Sequence, residues 1–500
     1  MKKRLSKKQM IIFSVGQFGW SLLGGIISAW LVTYFLPTAV DVQQNGAIQY
    51  IVPGLAIGGF MTVLGLITAL SRVFDAITDP LIASLSDRSK NPRGRRIPFM
   101  QIASIPFAVI TVLLFVIDFG AYNSNLGWLN ILWVSVMIVL FYLFMTMYCT
   151  PYNALISEFG QNQEDRMFIS TAISFTYLIG TLFAYLPFVV APMLRGAVGF
   201  AWSYRVCFIG LAVIALISLL LPTILLKETD FIDPKPSNEN VFKSLVATFK
   251  NKDFRVFSLS DIMYWVGLTM FQTGLPYFVR VSMGFDSGLV MVFMGGMTVL
   301  AAVFYPFVTR FVKKFGKKKL VIVGFLGLAF CYAIAAVASI PGVCPDEGSA
   351  NGLSWVFGIS IMIVSAIPMA LLGIIPQSIV ADVAEAEAKT TGENREGMFF
   401  AARTFAMKFG QSLAMILFTS LSVALTAATE EQKAAGEIFP NKLGMVVVAI
   451  VAVTFCVLGA IILFFYREKK VMETIAKEED KAFLEAAEKN SNEKEVAQEK

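Results

Sequence analysis

Residues 72–99 read RVFDAITDPLIASLSDRSKNPRGRRIPF. An apolar stretch carries Arg72, Asp75 and Asp79 at helical spacing. It ends in Asp87-Arg88, crosses a short basic loop through Gly94-Arg95-Arg96, and gives way to a second apolar run at Ile97. Residues three and four apart share one face of a helix, so Arg72, Asp75 and Asp79 stack together. A basic loop between two apolar runs is the pattern of a membrane re-entry on the cytoplasmic side.

The rest of the chain extends that reading. Of 500 residues, 56% are hydrophobic and 15% charged. A soluble chain has about 45–50% apolar and about 25% charged residues. The excess lies in long runs, and a span needs about 20 mainly apolar residues at 1.5 Å each. In lipid the backbone must satisfy its own polar groups, so these runs are expected to be helices. The alternating 10-residue pattern of a membrane barrel is absent.

Twelve spans are expected, over residues 10–36, 54–84, 98–118, 128–155, 168–191, 203–226, 254–280, 287–312, 319–341, 354–381, 398–426 and 444–466. Pro53 and the glycines after it blur the start of the second. The Lys-rich segment Met1–Gln9 precedes an apolar run too long for a signal peptide, so it reads as the flank of an uncleaved first span.

Lys and Arg fix the expected orientation. They crowd the N-terminus and the loops around Arg88–Arg96, Lys227–Lys252 and Arg310–Lys319. The loops Thr38–Tyr50, Gly120–Gly127 and Gly342–Gly352 carry none. With an even number of spans between the rich loops, both termini are cytoplasmic, in a multi-pass plasma-membrane protein. The net charge of +6 is explained by this bias, with no nucleic acid needed as partner.

The polar connection 227–253, with Pro234 and Pro236, divides the chain into halves 1–226 and 254–466, followed by a solvated tail, 467–500. Gly94-Arg95-Arg96 after span two matches Gly316-Lys317-Lys318 after span eight. Short basic loops at matching places suggest duplicated six-helix bundles, the plan of the major facilitator superfamily. Two ordinary cytoplasmic loops would look the same.

His is absent, which excludes imidazole metal sites and His relays. The five cysteines show no paired spacing, so neither a disulfide nor a zinc site is read. No nucleophile–base set or phosphate loop is found, and an enzyme is not expected.

Charges within spans are costly and mark function or pairing. Asp75 and Asp79 repel unless cations sit beside them. Arg72 supplies one cation; a mobile Na⁺, Li⁺ or H⁺ is expected to supply the other. The alternative is a salt-bridge cluster that only holds helices together. In span eleven, Thr404 and Lys408 share a face with Arg403 nearby. An ammonium ten residues into a span needs a carboxylate, and span two offers the match; the alternative is a lysine snorkelling to water.

Three motifs make the chain resemble a known family. They are residues 72–99; Pro151-Tyr152-Asn153-Ala154-Leu155 with Glu164-Asp165-Arg166; and Arg395-Glu396-Gly397-Met398-Phe399 leading to Lys408 and Gly410. Together they are similar to the glycoside–pentoside–hexuronide cation symporters, the melibiose permease-like branch of the major facilitator superfamily. The resemblance implies that Asp75 and Asp79 bind the coupling cation, beside Arg72, Thr146, Thr404 and Lys408. It also implies departures. Ser21, Cys149, Ser174 and Gly373 stand where a galactoside-binding member has Asp, Asp, Arg and Trp.

Trp20, Tyr148, Asn153, Tyr264, Trp265, Gln272 and Arg403 are therefore the candidates for the solute. Aromatic faces stack on sugar rings, and amides and guanidinium supply directional hydrogen bonds. Each has packing as its alternative, and Arg403 can instead pair with a carboxylate on a neighbouring helix. Asp87, Arg88, Arg95, Arg96 and Asp382, near the cytoplasmic ends, are candidates for gating or helix packing. The expected function is cation-coupled symport of a sugar, glycoside or hexuronide by a monomer. The rivals are a carrier of an amphiphile such as a lysolipid and a membrane sensor with a transporter-like body.

Overall fold

The computed structural model describes residues 4–87, 89, 91–160, 163–231, 248–391, 396–425 and 438–477. Arg88, the side chain of Asp87, most of the central connection and the tail beyond 477 lie outside these residues. Among them the chain is nearly all helix, and its only β-pairing is two isolated bridges.

The helices in chain order are α1 (Lys7–Phe35), α2 (Ala39–Gln43), α3 (Val63–Asp87), α4 (Ile97–Val116), α5 (Trp128–Phe159), α6 (Gln163–Phe183) and α7 (Pro187–Val198). Then follow α8 (Phe200–Leu225), α9 (Lys252–Tyr277), α10 (Gly288–Phe315), α11 (Lys317–Ala338), α12 (Gly352–Thr391), α13 (Glu396–Ser422) and α14 (Lys442–Phe464). Each expected span has a helix over it. Among the described residues nine, counting α6 and α7 as one, are long and apolar enough to cross a membrane. The long helices outside that group are α3, α9 and α13, which carry the buried charges Asp75, Asp261 and Lys408 respectively.

Boundaries moved where local chemistry overrode hydropathy. The second helix begins at Val63, not near residue 54. Gly54, Gly58 and Gly59 adopt positive φ, and a short bridge joins Ile57 to Met61; such backbone cannot enter a helix. The fifth run breaks between Phe183 and Pro187, and α7 restarts with that proline in its first turn. Helix α12 runs 40 residues, or about 60 Å at 1.5 Å each. That is about twice a bilayer core, so its end, with Asp382, extends well beyond one.

Helices α1 and α4–α8 pack mainly on one another, as do α9–α14, and α3 packs on α5 of the first group as well as on α13 of the second. Between the groups, α3 lies along α13, α1 meets α9, and α10 meets α6 and α7. Residues 36–62, 117–127, 283–287 and 339–351 lie at one end, called upper. Residues 4–6, 89, 91–96, 227–231 and 466–477 lie at the other, called lower.

A repeated device closes the lower end of each group. Gly94, at φ 119°, turns the chain into α4. The Glu228 carboxylate accepts from the first amides there: Arg95 N at 3.1 Å, Arg96 N at 2.8 Å and Ile97 N at 3.0 Å. A Cβ on Gly94 would stand 2.4 Å from Glu228 Oε2. Gly316, at φ 82°, does the same for α11, where Glu468 accepts from Lys317 N at 2.6 Å and Lys318 N at 3.2 Å. A carboxylate at a helix N-terminus satisfies orphan donors and complements the dipole. The glycine-plus-basic repeat in the sequence thus has a glutamate partner that follows the last helix of each group.

Arg95 and Arg96, candidates for gating or helix packing, both pair with Glu158 of α5. Asp382 pairs with Lys317 at 2.6 Å. These contacts lie inside one group of helices each.

Removing Glu228 unpairs three amides, and removing Glu468 two. Each buried unpaired donor costs about 1–3 kcal/mol. We expect Glu228→Ala to lower the thermal unfolding midpoint of detergent-purified protein more than Glu468→Ala, with Glu228→Gln intermediate. Equal midpoints for all three and wild type would contradict the capping role.

Candidate cation and solute site

Helices α3 and α13 run antiparallel along the seam between the groups. Small hydroxyl residues let them approach. The Thr62 hydroxyl donates to Thr419 Oγ1 at 2.8 Å, and the Ser412 hydroxyl to the Ala69 carbonyl at 3.0 Å. Gly65 faces Thr419 with no room for a Cβ. One turn further toward the lower end the seam becomes ionic.

There Lys408 of α13 reaches across to both carboxylates of α3. Its Nζ lies 2.8 Å from Asp75 Oδ1 and 2.6 Å from Asp79 Oδ2. It also donates to the Asp75 carbonyl at 3.2 Å. The Thr146 hydroxyl of α5 lies 2.7 Å from Asp75 Oδ1 and 3.1 Å from Asp79 Oδ1. It has one proton, so it donates to one at a time. Arg72 Nη1 stands 4.0 Å from Asp75 Oδ2, and its guanidinium lies over the Tyr142 ring, 4.6 Å from the centroid.

Two carboxylates face two cations, but not with full hydrogen bonding. Asp75 Oδ2 and Arg72 Nε are buried with no hydrogen-bond partner among the described residues. Asp75 is fully buried, whereas the Asp79 side chain is 26% exposed. The site is thus lined by hard oxygens, one of them unpaired, with an open side at Asp79. Oxygen donors of this kind suit a hard cation. Two carboxylates and a hydroxyl form a small set, and no group of three or more acidic, Cys or His residues that could hold a metal ion occurs among the described residues. Cys149 is buried next to this site on α5.

Thr404 does not join it; its hydroxyl donates to the Phe400 carbonyl at 3.0 Å. Arg403 is held by Asp261 of α9, through Nε at 3.0 Å and Nη2 at 3.3 Å. Asp261 is buried, to 1% exposure, and the Arg403 side chain is 11% exposed. Sequence spacing could not reveal this pair because its members lie on different helices.

The remaining solute candidates fall into two sets. Tyr148 is fully buried and its hydroxyl donates to the Leu219 carbonyl, a packing role. Tyr264 is also buried. Trp20, Trp265 and Gln272 are half-buried, and Asn153 is exposed. Trp20 packs against Tyr177 with ring centroids 6.0 Å apart, and Tyr264 against Trp265 at 5.2 Å. Sequence reading missed Tyr177, because one tyrosine in an apolar helix carries no signal. Of the departures from a galactoside site, Ser21 and Ser174 spend their hydroxyls on their own helices, on the Phe18 and Ser170 carbonyls.

The family described as MFS/sugar transport protein matches residues 12–469. The chain belongs to that family, the glycoside–pentoside–hexuronide symporters. It is a membrane transport protein. The symporter YjmB of Bacillus subtilis (strain 168) is 28% identical over 451 residues, covering 83% of each chain. The lactose permease of Leuconostoc lactis is 24% identical over 351 residues, 65% of this chain and 50% of that one. A D-xylose–proton symporter of known structure superposes with a TM-score of 0.61 at 15% identity, over 92% of this chain and 98% of the other. The last likeness establishes the major facilitator fold.

Removing one partner of a buried ion pair costs about 3–5 kcal/mol, because the other charge is left uncompensated. Arg403→Gln is therefore expected to destabilise the protein by about that much. Asp261→Asn added to it should restore most of the loss. A denaturation double-mutant cycle measures this; additive losses would show that the two side chains do not interact.

Proposed function

We propose that this protein is a cation-coupled symporter of a sugar, glycoside or hexuronide in the plasma membrane. In this reading all twelve long helical runs cross the bilayer, as bundles 1–226 and 254–466 joined by 227–253. The upper end is extracellular, and both termini are cytoplasmic. The observation that carries the reading is Lys408, one bundle's ammonium, seated between the other bundle's Asp75 and Asp79.

Bare carboxylates in a low-dielectric site cost several kcal/mol each. Asp75 and Asp79 therefore need either Lys408 or a cation from solution. Na⁺, Li⁺ or H⁺ arriving by the open side at Asp79 would take the oxygens that Lys408 now holds, together with Asp75 Oδ2 and the Thr146 hydroxyl. Arg72, fixed over Tyr142, stays with the carboxylates in both states. Lys408 is the only cross-bundle member of the set, so its release loosens α3 from α13. Cation entry is thereby tied to motion of the bundles about a mid-membrane site. If solute binds better to the loosened arrangement, solute and cation raise each other's affinity by the same factor.

Trp20, Trp265, Gln272 and Asn153 are the proposed solute contacts. Arg403 is not among them, because Asp261 occupies its guanidinium. With Ser21, Cys149 and Ser174 in place of charged groups, simple galactosides should be poor substrates; each lost polar contact is worth about 1–3 kcal/mol.

Uptake by whole cells, over a panel of glycosides, pentosides and hexuronides with and without Na⁺, tests the function. Asp75→Asn and Asp79→Asn should each abolish accumulation against a gradient while protein still reaches the membrane. Accumulation by both single variants would overturn the cation-site assignment.

A further inference from the structure

A second ionic seam lies at the upper end. Tyr277, the last residue of α9, donates its hydroxyl to the Leu36 carbonyl of the opposite bundle at 2.6 Å. The helix then widens into a π-turn over Phe278–Ser282, which re-aims the side chains of that turn. Arg280 in this turn is 3% exposed. Its Nη2 lies 2.8 Å from Asp41 Oδ1, on α2 of the N-terminal bundle, and 3.3 Å from Thr38 Oγ1. The same nitrogen is 2.5 Å from Glu347 Oε1, in the loop before α12 of the C-terminal bundle, and Nε is 2.6 Å from that oxygen. The Asp41 and Glu347 side chains are 4% and 9% exposed.

The loop that carries Glu347 is fixed to the turn that carries Arg280. The Ser349 amide donates to the Gly284 carbonyl at 3.0 Å. Gly284 has φ 77°, and a Cβ there would stand 2.8 Å from the Pro345 and Asp346 carbonyl oxygens. Lys442 of α14 binds the loop's Cys344 and Pro345 carbonyls at 2.7 and 3.0 Å. Arg280 and Glu347 therefore move as one piece, whereas Asp41 belongs to the other bundle.

We propose that Arg280 is the latch of the upper gate, shared between Asp41 across the seam and Glu347 on its own side, and that it stays with Glu347 when the gate opens. The two carboxylates then have opposite effects. Asp41 holds the gate shut. Glu347 allows it to open, because a guanidinium pulled from Asp41 keeps one charge partner and is never left bare. A purely structural cluster would lack this asymmetry, and loss of either carboxylate would loosen it alike.

The inference rests on the alternating-access reading above, but its test needs neither solute nor turnover, so a failed uptake assay leaves it standing. Spin labels at Asn123→Cys and Ala350→Cys, both exposed at the upper end, would report the gap between bundles. The five native cysteines are replaced first, and distances are read by pulsed EPR in proteoliposomes. Asp41→Asn is expected to raise the long-distance population by about tenfold or more, given the coupling of close charge pairs. Glu347→Gln is expected to lower that population below wild type, and Asp41→Glu to keep the wild-type distribution. If Asp41→Asn fails to reach the membrane, Thr38→Val should shift the distribution the same way by less. An unchanged distribution in Asp41→Asn, or a shift of the same sign for Asp41→Asn and Glu347→Gln, would overturn the latch.

Discussion

Asp75 and Asp79 stand one helical turn apart in a helix surrounded by apolar chain, and two carboxylates there cannot both stay ionised without a cation at hydrogen-bonding distance. Lys408 meets that need from the opposite side of the molecule, at 2.8 and 2.6 Å. The close approach of α3 and α13 follows from it, through Gly65, Thr62, Ser412 and Thr419. So does the location of the site, where two groups of helices meet. In the proposed function a cation from solution satisfies the carboxylates by replacing this contact between the groups, so that binding becomes a change of packing.

The second seam obeys the same electrostatic rule in a different arrangement. At the candidate cation site one ammonium serves two carboxylates on a single helix. At the upper end one guanidinium serves two carboxylates on opposite bundles. In the proposed function the first arrangement exchanges its cation. The second holds a charge that cannot leave, so it can only be shared or kept.

Much of this was legible in the chain. Hydropathy located a helix for every expected span, because lipid forces backbone polar groups into helices. The spacing of Arg72, Asp75 and Asp79 placed three charges on one face, and the depth of Lys408 in its run pointed to their partner. What stayed hidden has physical reasons. Gly54, Gly58 and Gly59 look apolar enough for a span, yet their positive φ values hold a loop. Arg403 read either as a solute contact or as the partner of a carboxylate on a neighbouring helix, and no periodicity in the chain singles out Asp261 as that carboxylate. Arg280, Asp41 and Glu347 come from three distant segments, and none is unusual where it stands. Thr404 shares a face with Lys408, but its hydroxyl is spent on its own helix, as Thr side chains in helices often are. The glycine-and-basic repeat was visible, while Glu228 and Glu468, which give it meaning, sit far along the chain.

Competition between Lys408 and the coupling cation for the same oxygens is the central claim. The direct measurement is the affinity of purified Lys408→Ala for the cation that uptake selects. Titration calorimetry gives it for Na⁺ or Li⁺, and pH titration of the site for H⁺. Competition predicts that removing the ammonium tightens cation binding relative to wild type, because two carboxylates and the Thr146 hydroxyl are left without their resident charge. Weaker or abolished cation binding in Lys408→Ala would show instead that the lysine builds the site rather than competes for it.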